Sequence, residues 1–478
     1  MELTELTILE LKDKLSQKEV KAVEVTESYL KNIDNRESDI NAYLTVCREQ
    51  ALTEAAGVDE KIAKGNELAP LAGIPIAIKD NMCTKGVPTS CASRILDGFI
   101  PPYDATVIQK LKDQGAIILG KTNMDEFAMG SSTENSSVKM TSNPHDPARV
   151  PGGSSGGSAA VVAADMAAGS YGSDTGGSIR QPASFCGVFG LKPTYGLVSR
   201  FGLVAFASSL DQIGPLARTA EDTALLLSAV AGEDIRDSTS LSVEIPDYLA
   251  TIKDGVKGLT IGLPKEFDME GLDQETAEAV QKARQVLTEA GANFKEVSLP
   301  HTKYGTAAYY VVATAEASAN LARYEGVKYG FRSPDYEGLS SMYLSTRSQG
   351  FGEEAKRRIL LGTYVLSSGY YDAYYLKAQK VRTKIREDFI KVYREVDLLL
   401  TPTSPTTAFK QGEKVNDPLS MYLSDIFTLT ANLAGVPSLS VPFGFDSRSL
   451  PIGVQLWGNY CREEVIFRAA YTLEGKAY

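Results

Sequence analysis

The sequence predicts an α/β fold in which a central mixed, twisted β-sheet is covered by helices on both sides. Short apolar runs of strand length alternate along the chain with longer segments of helical periodicity, an order of elements typical of this class. The length of 478 residues and a hydrophobic fraction of 43% fit one large α/β unit or two smaller ones.

The first part of the chain, residues 4–65, is predicted to be helical. Apolar residues recur there at helical spacing: Ile8, Leu11 and Leu15, then Val25, Tyr29 and Ile33. The pattern changes at residues 74–78, where an apolar run predicts a short strand with Lys79 at its C-terminal end.

The rest of the chain alternates between predicted helices and strands. Asp104 can cap a helix that runs to Gly115, and Thr219 begins another helix with a T-x-x-D variant of the capping box. Further helices are predicted at 159–168 (buried), 273–290 and 353–395 (a tyrosine-rich lobe), with strands at 116–119, 260–263, 397–401 and 438–441 and a loop at 402–418.

The charge balance argues against one class of function. The formal net charge is −11 and no dense block of Lys and Arg occurs, whereas a protein that grips nucleic acid by itself usually carries a basic face. If nucleic acid takes part, we therefore expect another chain to hold it. The five cysteines lack metal-ligand or C-x-x-C spacing, so we expect reduced, mostly buried thiols in a cytoplasmic protein.

Two clusters rich in glycine and serine, residues 151–158 and 172–178, flank the predicted buried helix. Glycine lets the backbone approach a ligand closely, and such loops can present several N–H groups to a negative oxygen. Three kinds of site are compatible with this composition: a phosphate loop, a nucleophile elbow and a lysine-based relay.

A phosphate loop of the Walker type needs Lys and then Ser or Thr after its last glycine. Here Ala159 and Ala160 follow Ser158. The Walker pattern therefore fails, although other phosphate cradles stay open.

A nucleophile elbow is the second possibility, because residues 152–156 fit G-x-S-x-G. That chemistry needs a histidine base downstream. Of the two histidines, His145 and His301, only His301 follows, and it lies in a polar stretch typical of the surface.

A lysine-based relay is the third possibility, because an amide-cleaving serine without histidine still needs a proton acceptor. Lys79 ends an apolar strand that would bury it. At a reference pKa of about 10.4, only about one lysine in a thousand is neutral near pH 7.5, so the relay requires a downward shift of roughly three pKa units. Burial and a neighbouring cation can shift a lysine by that amount.

These motifs resemble the amidase signature family. Lys79, residues 152–157 and residues 172–183 match its signature, and the similarity extends over further segments: 123–135, 191–196, 200–212 and 356–375. The resemblance implies the amidase signature fold as one amidase domain over residues 1–478. Its parts would be an N-terminal helical segment (1–65), a signature core with the catalytic residues (66–240), and the rest of the sheet with a helical substrate-pocket lobe (241–478).

The resemblance also implies a Ser–Ser–Lys triad. Ser178 would be the nucleophile, Ser154 the bridge and Lys79 the ultimate base, with a cis peptide bond before Ser154. The oxyanion hole, usually a large electrostatic contribution to acyl transfer, would be formed by the N–H groups of Thr175, Gly176, Gly177 and Ser178.

Within the family, the long matches are similar to the branch that serves tRNA-dependent amidotransferases, which implies glutamine as substrate. Arg358 would bind the α-carboxylate of glutamine, Asp425 its α-ammonium group, and Tyr309 would line the pocket. Structural alternatives are an ion pair within a helix for Arg358, a helix cap for Asp425 and a core position for Tyr309. The alternative function is a stand-alone amidase acting on another amide, whose pocket would not need this charged pair.

The same resemblance implies a three-subunit complex with B and C subunits as partners. The B subunit would bind the misacylated tRNA, phosphorylate its glutamate with ATP and Mg²⁺, and receive ammonia through a channel, while the C subunit would wrap the interface. This chain itself is expected to carry no cofactor or metal and to work in the cytoplasm. A degenerate amidase that served only as a binding scaffold would have no reason to keep Lys79, Ser154 and Ser178 together.

Overall fold

The computed structural model describes residues 2–267 and 271–476. Within these ranges the strands are Tyr43–Val46 (β1), Pro75–Lys79 (β2), Ile117–Thr122 (β3), Gly169–Asp174 (β4), Phe189–Lys192 (β5), Gln212–Ala217 (β6), Thr260–Pro264 (β7), Asn293–Val297 (β8), Leu398–Pro402 (β9), Ser438–Phe445 (β10) and Pro451–Gly458 (β11). They form one sheet in the order β1-β3-β2-β4-β6-β5-β10-β11-β9-β7-β8. Parallel and antiparallel pairs both occur, which confirms the predicted mixed sheet.

The α-helices in the described ranges are Ile8–Ser16 (α1), Ala22–Ile40 (α2), Arg48–Ala63 (α3), Thr106–Asp113 (α4), Gly156–Ala163 (α5), Arg180–Cys186 (α6), Ala220–Val230 (α7), Tyr248–Thr251 (α8), Gln274–Glu289 (α9), Gly305–Asn320 (α10), Gly338–Gly350 (α11), Glu353–Leu366 (α12), Lys377–Val392 (α13), Pro418–Leu423 (α14), Leu429–Ala434 (α15) and Glu463–Leu473 (α16). One large apolar cluster packs α1–α3, α7 and α16 on the sheet. A second packs α10, α13 and α15 against the sheet around Trp457. The predicted α/β class is thereby confirmed.

Strand β2 lies between β3 and β4 and is parallel to both. Lys79 is paired with Thr122 of β3, and Ile78 is paired with Tyr171 of β4. Because parallel strands end at the same edge of a sheet, Lys79 and the C-terminal end of β4 are neighbours. This edge carries the two glycine- and serine-rich clusters.

The N-terminal part of α5 packs so closely on its neighbours that only glycine fits at two positions, Gly157 and Gly172. A Cβ at Gly157 would lie 2.4 Å from the carbonyl oxygen of Asn123, and a Cβ at Gly172 would lie 2.8 Å from Ser155 Oγ. Each of the two clusters therefore contains a glycine that close packing requires.

Two predicted elements differ from the structure. The region predicted as helical at 4–65 contains α1–α3 but also β1, which pairs antiparallel with β3. The helix predicted at 159–168 is α5, which begins at Gly156 and ends at Ala163, because the chain turns there to enter β4.

Asp104 does not cap α4. The N-cap residue is Ala105, while the Asp104 carboxylate accepts a hydrogen bond from Lys85 N at 2.8 Å and pairs with Lys112 Nζ at 2.8 Å. The Thr219 cap is confirmed, since its side chain accepts from Asp222 N. The segment predicted as helical at 353–395 is divided into α12 and α13, which are separated by residues 367–376. The remaining predicted strands and helices occur within a few residues of the predicted bounds.

All five cysteines carry free thiols, and Cys83, Cys91 and Cys186 are buried, as expected for reduced residues. In the part of the chain that the structure describes, none of the helices combines the length and apolar character needed to cross a membrane.

Candidate active site

Lys79 is fully buried at the end of β2, and its amine is surrounded by oxygen atoms. Nζ lies 2.7 Å from Ser154 Oγ and 2.8 Å from Ser155 Oγ, and it also contacts the hydroxyl and carbonyl oxygens of Ser173 at 3.0 and 3.2 Å. Asn81 Nδ2 donates to the same Ser173 hydroxyl at 2.9 Å. The lysine therefore lies within a hydrogen-bonded serine cluster and makes no ion pair with any residue that the structure describes.

Burial lowers the pKa of Lys79 from its ordinary value to about 7, even though the carboxylates of Asp125, Asp174 and Asp211 raise it. A substantial fraction of the amine is therefore neutral near pH 7 and can accept a proton. Burial supplies this shift, and the nearby charges that act on Lys79 are negative, so no neighbouring cation produces it.

Ser154 follows a cis peptide bond after Gly153, in agreement with the expectation from the resemblance. The backbone at Gly153 is packed tightly: a Cβ there would lie 2.2 Å from Asp125 Oδ2 and 2.5 Å from Ser132 N. Asp125 N in turn donates to Ser154 O at 3.3 Å, which holds the segment after β3 against the serine cluster.

Ser178 is placed beside this cluster through its backbone, since its carbonyl oxygen accepts from Ser155 N at 3.0 Å. Lys79 and Ser154 have no exposed surface, whereas Ser178 is 8% exposed. In the described ranges, the Ser178 hydroxyl makes no hydrogen bond to another group. Of the three predicted triad residues, Ser178 is therefore the one that keeps some exposed surface.

The four N–H groups expected at the oxyanion hole are not equivalent. Gly177 N donates to Asp174 Oδ1 at 2.9 Å, and Ile179 N donates to Asp174 Oδ2 at 3.1 Å. Among the described residues, no loop hydrogen bond occupies the N–H groups of Thr175, Gly176 or Ser178. These three N–H groups are therefore available to an anionic oxygen, whereas the Gly177 N–H is used in a hydrogen bond that fixes the loop to Asp174.

The loop of residues 175–178 is held by an ion pair between Asp174 and Arg180, whose side chains are both completely buried. Arg180 Nε and Nη2 each lie 3.0 Å from the carboxylate. Burial alone would raise the pKa of Asp174, but the Arg180 guanidinium and its hydrogen bonds lower it to about 2. The remaining donors of Arg180 reach acceptors far along the chain: Thr428 O, Asn432 Oδ1, Ser438 Oγ and Gln455 Oε1.

Replacing Arg180 with methionine should destabilise the fold by about 3–5 kcal/mol, because it leaves the buried Asp174 carboxylate without its counter-charge. Urea denaturation would measure the free energy of unfolding. Arg394, which is exposed, offers the matched control: Arg394→Met should change stability by no more than about 0.5 kcal/mol. Equal stability of the two variants would contradict a structural role for the pair.

Asp211 fixes the other side of the loop. Its carboxylate accepts from Thr175 Oγ1 at 2.7 Å and from the N–H groups of Phe206 and Ala207. Burial raises the pKa of Asp211 to about 6, and these hydrogen bonds oppose the rise. Thr175 is thereby tied to the segment that carries Phe206.

Arg358 is 3% exposed and lies on α12. Its Nε donates to Glu354 Oε1 at 2.7 Å, the ion pair within a helix that was one structural alternative. Within the described chain, however, Nη1 and Nη2 donate to no other residue. Arg358 also lines a cavity of about 170 Å³. The two terminal nitrogens are thus free to bind a carboxylate as a fork.

Asp425 is buried and accepts from Ser131 Oγ at 2.5 Å through Oδ2. Its other oxygen, Oδ1, is buried and has no hydrogen-bond partner among the described residues. Burial raises the pKa of Asp425 to about 7, although the Ser131 hydrogen bond and the charge of Arg358 lower it. An unpartnered buried carboxylate oxygen is costly unless a cation or donor satisfies it.

Tyr309 packs directly against the loop of residues 175–178, which carries Ser178. A Cβ at Gly176 would lie 2.7 Å from Tyr309 Cζ, so the aromatic ring covers the loop at that glycine. Burial raises the pKa of Tyr309 well above its usual range. The phenol of Tyr309 therefore stays neutral where it covers Gly176.

The two histidines take no part in this cluster. His301 Nδ1 lies 2.9 Å from Asp388 Oδ2, and His145 Nε2 lies 3.0 Å from the carbonyl oxygen of Cys186. Neither ring forms a hydrogen bond with a described serine. In residues 2–267 and 271–476, no group of three or more His, Cys, Asp or Glu side chains is arranged to hold a metal ion.

Several residues of the site were not predicted. Ser155 contacts Lys79 as closely as Ser154 does, and the repeated serine in residues 152–157 was the available signal. Asp174 and Arg180 lie inside the matched segment 172–183, but their distant partner Asn432 had no signal in the sequence.

The fold and this site define a class of protein. The amidase family model matches residues 24–467, and the chain belongs to the amidase family. A curated relative, the A subunit of glutamyl-tRNA(Gln) amidotransferase from Microcystis aeruginosa, is 62% identical over 468 residues, covering 98% of this chain and 97% of the relative. The protein of that name from Carboxydothermus hydrogenoformans is 60% identical over 474 residues, covering 99% and 98%.

A crystal structure of the A subunit of glutamyl-tRNA(Gln) amidotransferase from Thermotoga maritima has the same fold. It is 44% identical to this chain, with a TM-score of 0.80, and the match covers 99% of this chain and 95% of that one. The similarity therefore spans the whole sheet and both helical layers, well beyond the signature segment.

Proposed function

We propose that this chain is the glutaminase subunit of a tRNA-dependent amidotransferase. It would hydrolyse glutamine and supply ammonia for the conversion of Glu-tRNA(Gln) to Gln-tRNA(Gln) at a partner subunit. The observation that carries this proposal is the buried, hydrogen-bonded Lys79–Ser154 pair beside Ser178, in a chain 62% identical over 98% of its length to the A subunit of a glutamyl-tRNA(Gln) amidotransferase.

In the proposed reaction, Ser178 Oγ attacks the side-chain amide carbon of glutamine. Its proton passes to Ser154, and Ser154 gives its own proton to the neutral amine of Lys79. The C–N bond then breaks, and the proton returns along the same path to the leaving group, which departs as ammonia. Water hydrolyses the glutamyl ester of Ser178 by the same relay and releases glutamate.

The anionic oxygen of the tetrahedral intermediate would be stabilised by the oxyanion hole of Thr175, Gly176, Gly177 and Ser178. The support is geometric: the Thr175, Gly176 and Ser178 N–H groups have no competing partner in the described loop, whereas Gly177 already donates to Asp174. Fixed donors of this kind need no reorganisation when charge develops. We therefore assign the principal donors to the three free N–H groups and a supporting role to Gly177.

Glutamine would be held as a zwitterion. The free Nη1 and Nη2 of Arg358 would bind its α-carboxylate, the unpartnered Oδ1 of Asp425 would receive its α-ammonium group, and Tyr309 would line the pocket. A stand-alone amidase would have no need for two such unsatisfied, oppositely charged groups.

The context proposed with this function is a heterotrimer in the cytoplasm. The B subunit would bind the misacylated tRNA together with ATP and Mg²⁺, and the C subunit would complete the assembly. The acidic net charge of −11 is consistent with a division of labour in which another chain binds the nucleic acid. The chain would contribute one amidase domain over residues 1–478.

Glutamine hydrolysis by the chain, measured with and without candidate B and C subunits, tests this function. We expect ammonia release from glutamine to rise when both partners are present, and expect aliphatic amides such as propionamide to be poorer substrates. A chain that alone cleaves propionamide much faster than glutamine, and does not respond to either partner, would instead be a stand-alone amidase.

A further inference from the structure

The carboxylate of Glu354 connects the two charged groups of the proposed glutamine pocket. It lies in the first turn of α12, and its side chain is 10% exposed. Oε1 accepts from Arg358 Nε at 2.7 Å and from the Tyr422 hydroxyl at 3.0 Å, while Oε2 pairs with Arg357. The relay and oxyanion hole make no use of this residue.

On one side, Glu354 determines which edge of the Arg358 guanidinium is left for a ligand. A guanidinium can bind a carboxylate through Nη1 and Nη2, or through Nε and one Nη. Because Glu354 occupies Nε, the Nη1–Nη2 edge is the one available. The rings of Phe206, Tyr310 and Tyr422 lie 5.5, 5.5 and 5.6 Å from Arg358 Cζ and restrict the guanidinium further.

On the other side, Glu354 holds the segment that carries Asp425. Tyr422 lies three residues before Asp425, and Asp425 N donates to Tyr422 O at 3.3 Å. The Tyr422 ring stacks on Tyr310 of α10 with centroids 4.0 Å apart. The Glu354–Tyr422 hydrogen bond therefore ties the Asp425 segment to α12, and α12 carries Arg358.

Glu354 and Arg358 open on the cavity of about 170 Å³. Glu354, Arg358 and Tyr422 line one part of it, and Gly130 and Ser132 line another. Ser131, between those two residues, donates to Asp425 Oδ2. Arg358 and Glu354 thus line the cavity directly, and Asp425 is linked to the lining segment through its hydrogen bond with Ser131.

We propose that Glu354 is a positioning residue that makes the pocket selective for amides bearing a free α-carboxylate and a free α-ammonium group. One carboxylate orients Arg358 toward the former and holds the Asp425 segment for the latter. This inference rests on the proposed glutaminase function and names the residue that sets the substrate class.

Steady-state glutamine hydrolysis by the chain assembled with the B and C subunits tests the proposal. In Glu354→Ala, KM for glutamine should rise about 10- to 100-fold, the scale of one lost charge-assisted hydrogen bond, while kcat stays nearly unchanged. The inhibition constant of L-glutamate should rise in parallel. Glu354→Gln keeps an acceptor for Nε and should restore much of the affinity.

Glu387→Ala is the matched control, because Glu387 lies on α13, outside the lining of this cavity, and its 42% exposed side chain pairs with Lys384 on the helix surface. It should leave KM and kcat as in the unmodified chain. If Glu354→Ala does not fold, Tyr422→Phe carries the test, since it removes one hydroxyl and should raise KM with kcat retained.

An unchanged KM in the folded Glu354→Ala or Tyr422→Phe chain would overturn the proposal, and so would a fall in kcat at constant KM. Both results are distinct from failure of the proposed function. In that case the unmodified complex itself would release no ammonia from glutamine.

Discussion

Replacing Ser178 with alanine should abolish ammonia release from glutamine. In the proposed reaction this side chain supplies the attacking oxygen, and loss of a nucleophile of this kind lowers kcat by a factor on the order of 10⁶. The variant should remain folded, because the Ser178 carbonyl that accepts from Ser155 N is unaffected. A glutamate dehydrogenase–coupled assay of the complex would measure the loss. Full activity in Ser178→Ala would exclude the mechanism.

Two controls sharpen that experiment. With ammonium chloride supplied externally, the Ser178→Ala complex should still form Gln-tRNA(Gln), because only the source of ammonia is removed. His301→Ala should leave hydrolysis nearly intact, since His301 pairs with Asp388 and not with a serine. A loss on the order of a thousandfold in that variant, the scale of a missing acid–base group, would restore the histidine hypothesis.

Replacing Lys79 with methionine should lower kcat about 10²- to 10⁴-fold, the contribution of a general base. Methionine retains the approximate volume of the lysine stem but leaves the Ser154, Ser155 and Ser173 hydroxyls without the amine. Lys79→Arg separates two roles. An arginine preserves a cation but cannot be neutral near pH 7, so it should be as inactive as methionine. Activity retained in Lys79→Arg would mean that the amine acts only as a structural cation.

The pH profile is a second readout of Lys79. Because the base must be neutral and its pKa is lowered to about 7, kcat at saturating glutamine should rise as pH increases through about 7 and then level off. Asp425, with a pKa raised to about 7, should add to the same rise in kcat/KM, since its ionised form binds the ammonium group. The rise in kcat should persist in Asp425→Asn and vanish in the residual activity of Lys79→Met. A flat kcat across pH values about one unit either side of that pKa in the unmodified chain would contradict a neutral lysine.

The elements that could be predicted from the sequence are those whose formation depends on hydrophobic periodicity and helix caps within the element itself. The apolar run at 74–78 identified β2 and placed Lys79 at its end, where the structure has it. The helices at 219–230 and 273–290 were predictable because their periodicity and caps are local. The α/β class followed from the alternation of such elements.

Strands without apolar periodicity were not predictable in this way. Strand β4 has the sequence Gly-Ser-Tyr-Gly-Ser-Asp and is fully buried, so neither alternation nor an apolar run marks it. Its glycines are required by close tertiary contacts, Gly172 with Ser155 at the N-cap of α5 and Gly169 with Leu226 of α7, and these contacts override strand propensity. The capping role predicted for Asp104 failed for a related reason: Lys85 and Lys112 compete for its carboxylate.

The environment of the nucleophile loop lay further beyond sequence reasoning. Arg180 could be recognised as part of a matched segment, but not as a buried residue whose partners lie about 250 to 275 positions later in the chain. Likewise, the unpartnered Oδ1 of Asp425 and the Glu354–Tyr422 hydrogen bond depend on the docking of α14 against α12. Such long-range pairings leave no periodic trace in the sequence.

The hydrogen bonds of Arg180 to residues far along the chain affect when the protein becomes active during its translation. A nascent chain that has emerged as far as residue 420 already contains Lys79, Ser154 and Ser178, but it lacks Thr428, Asn432, Ser438 and Gln455. The loop that carries the nucleophile is then without the anchors of its buried arginine. Glutaminase competence would thus arise only after Gln455 has been synthesised and folded into place, so a nascent polypeptide that ends before these anchors would not consume cellular glutamine.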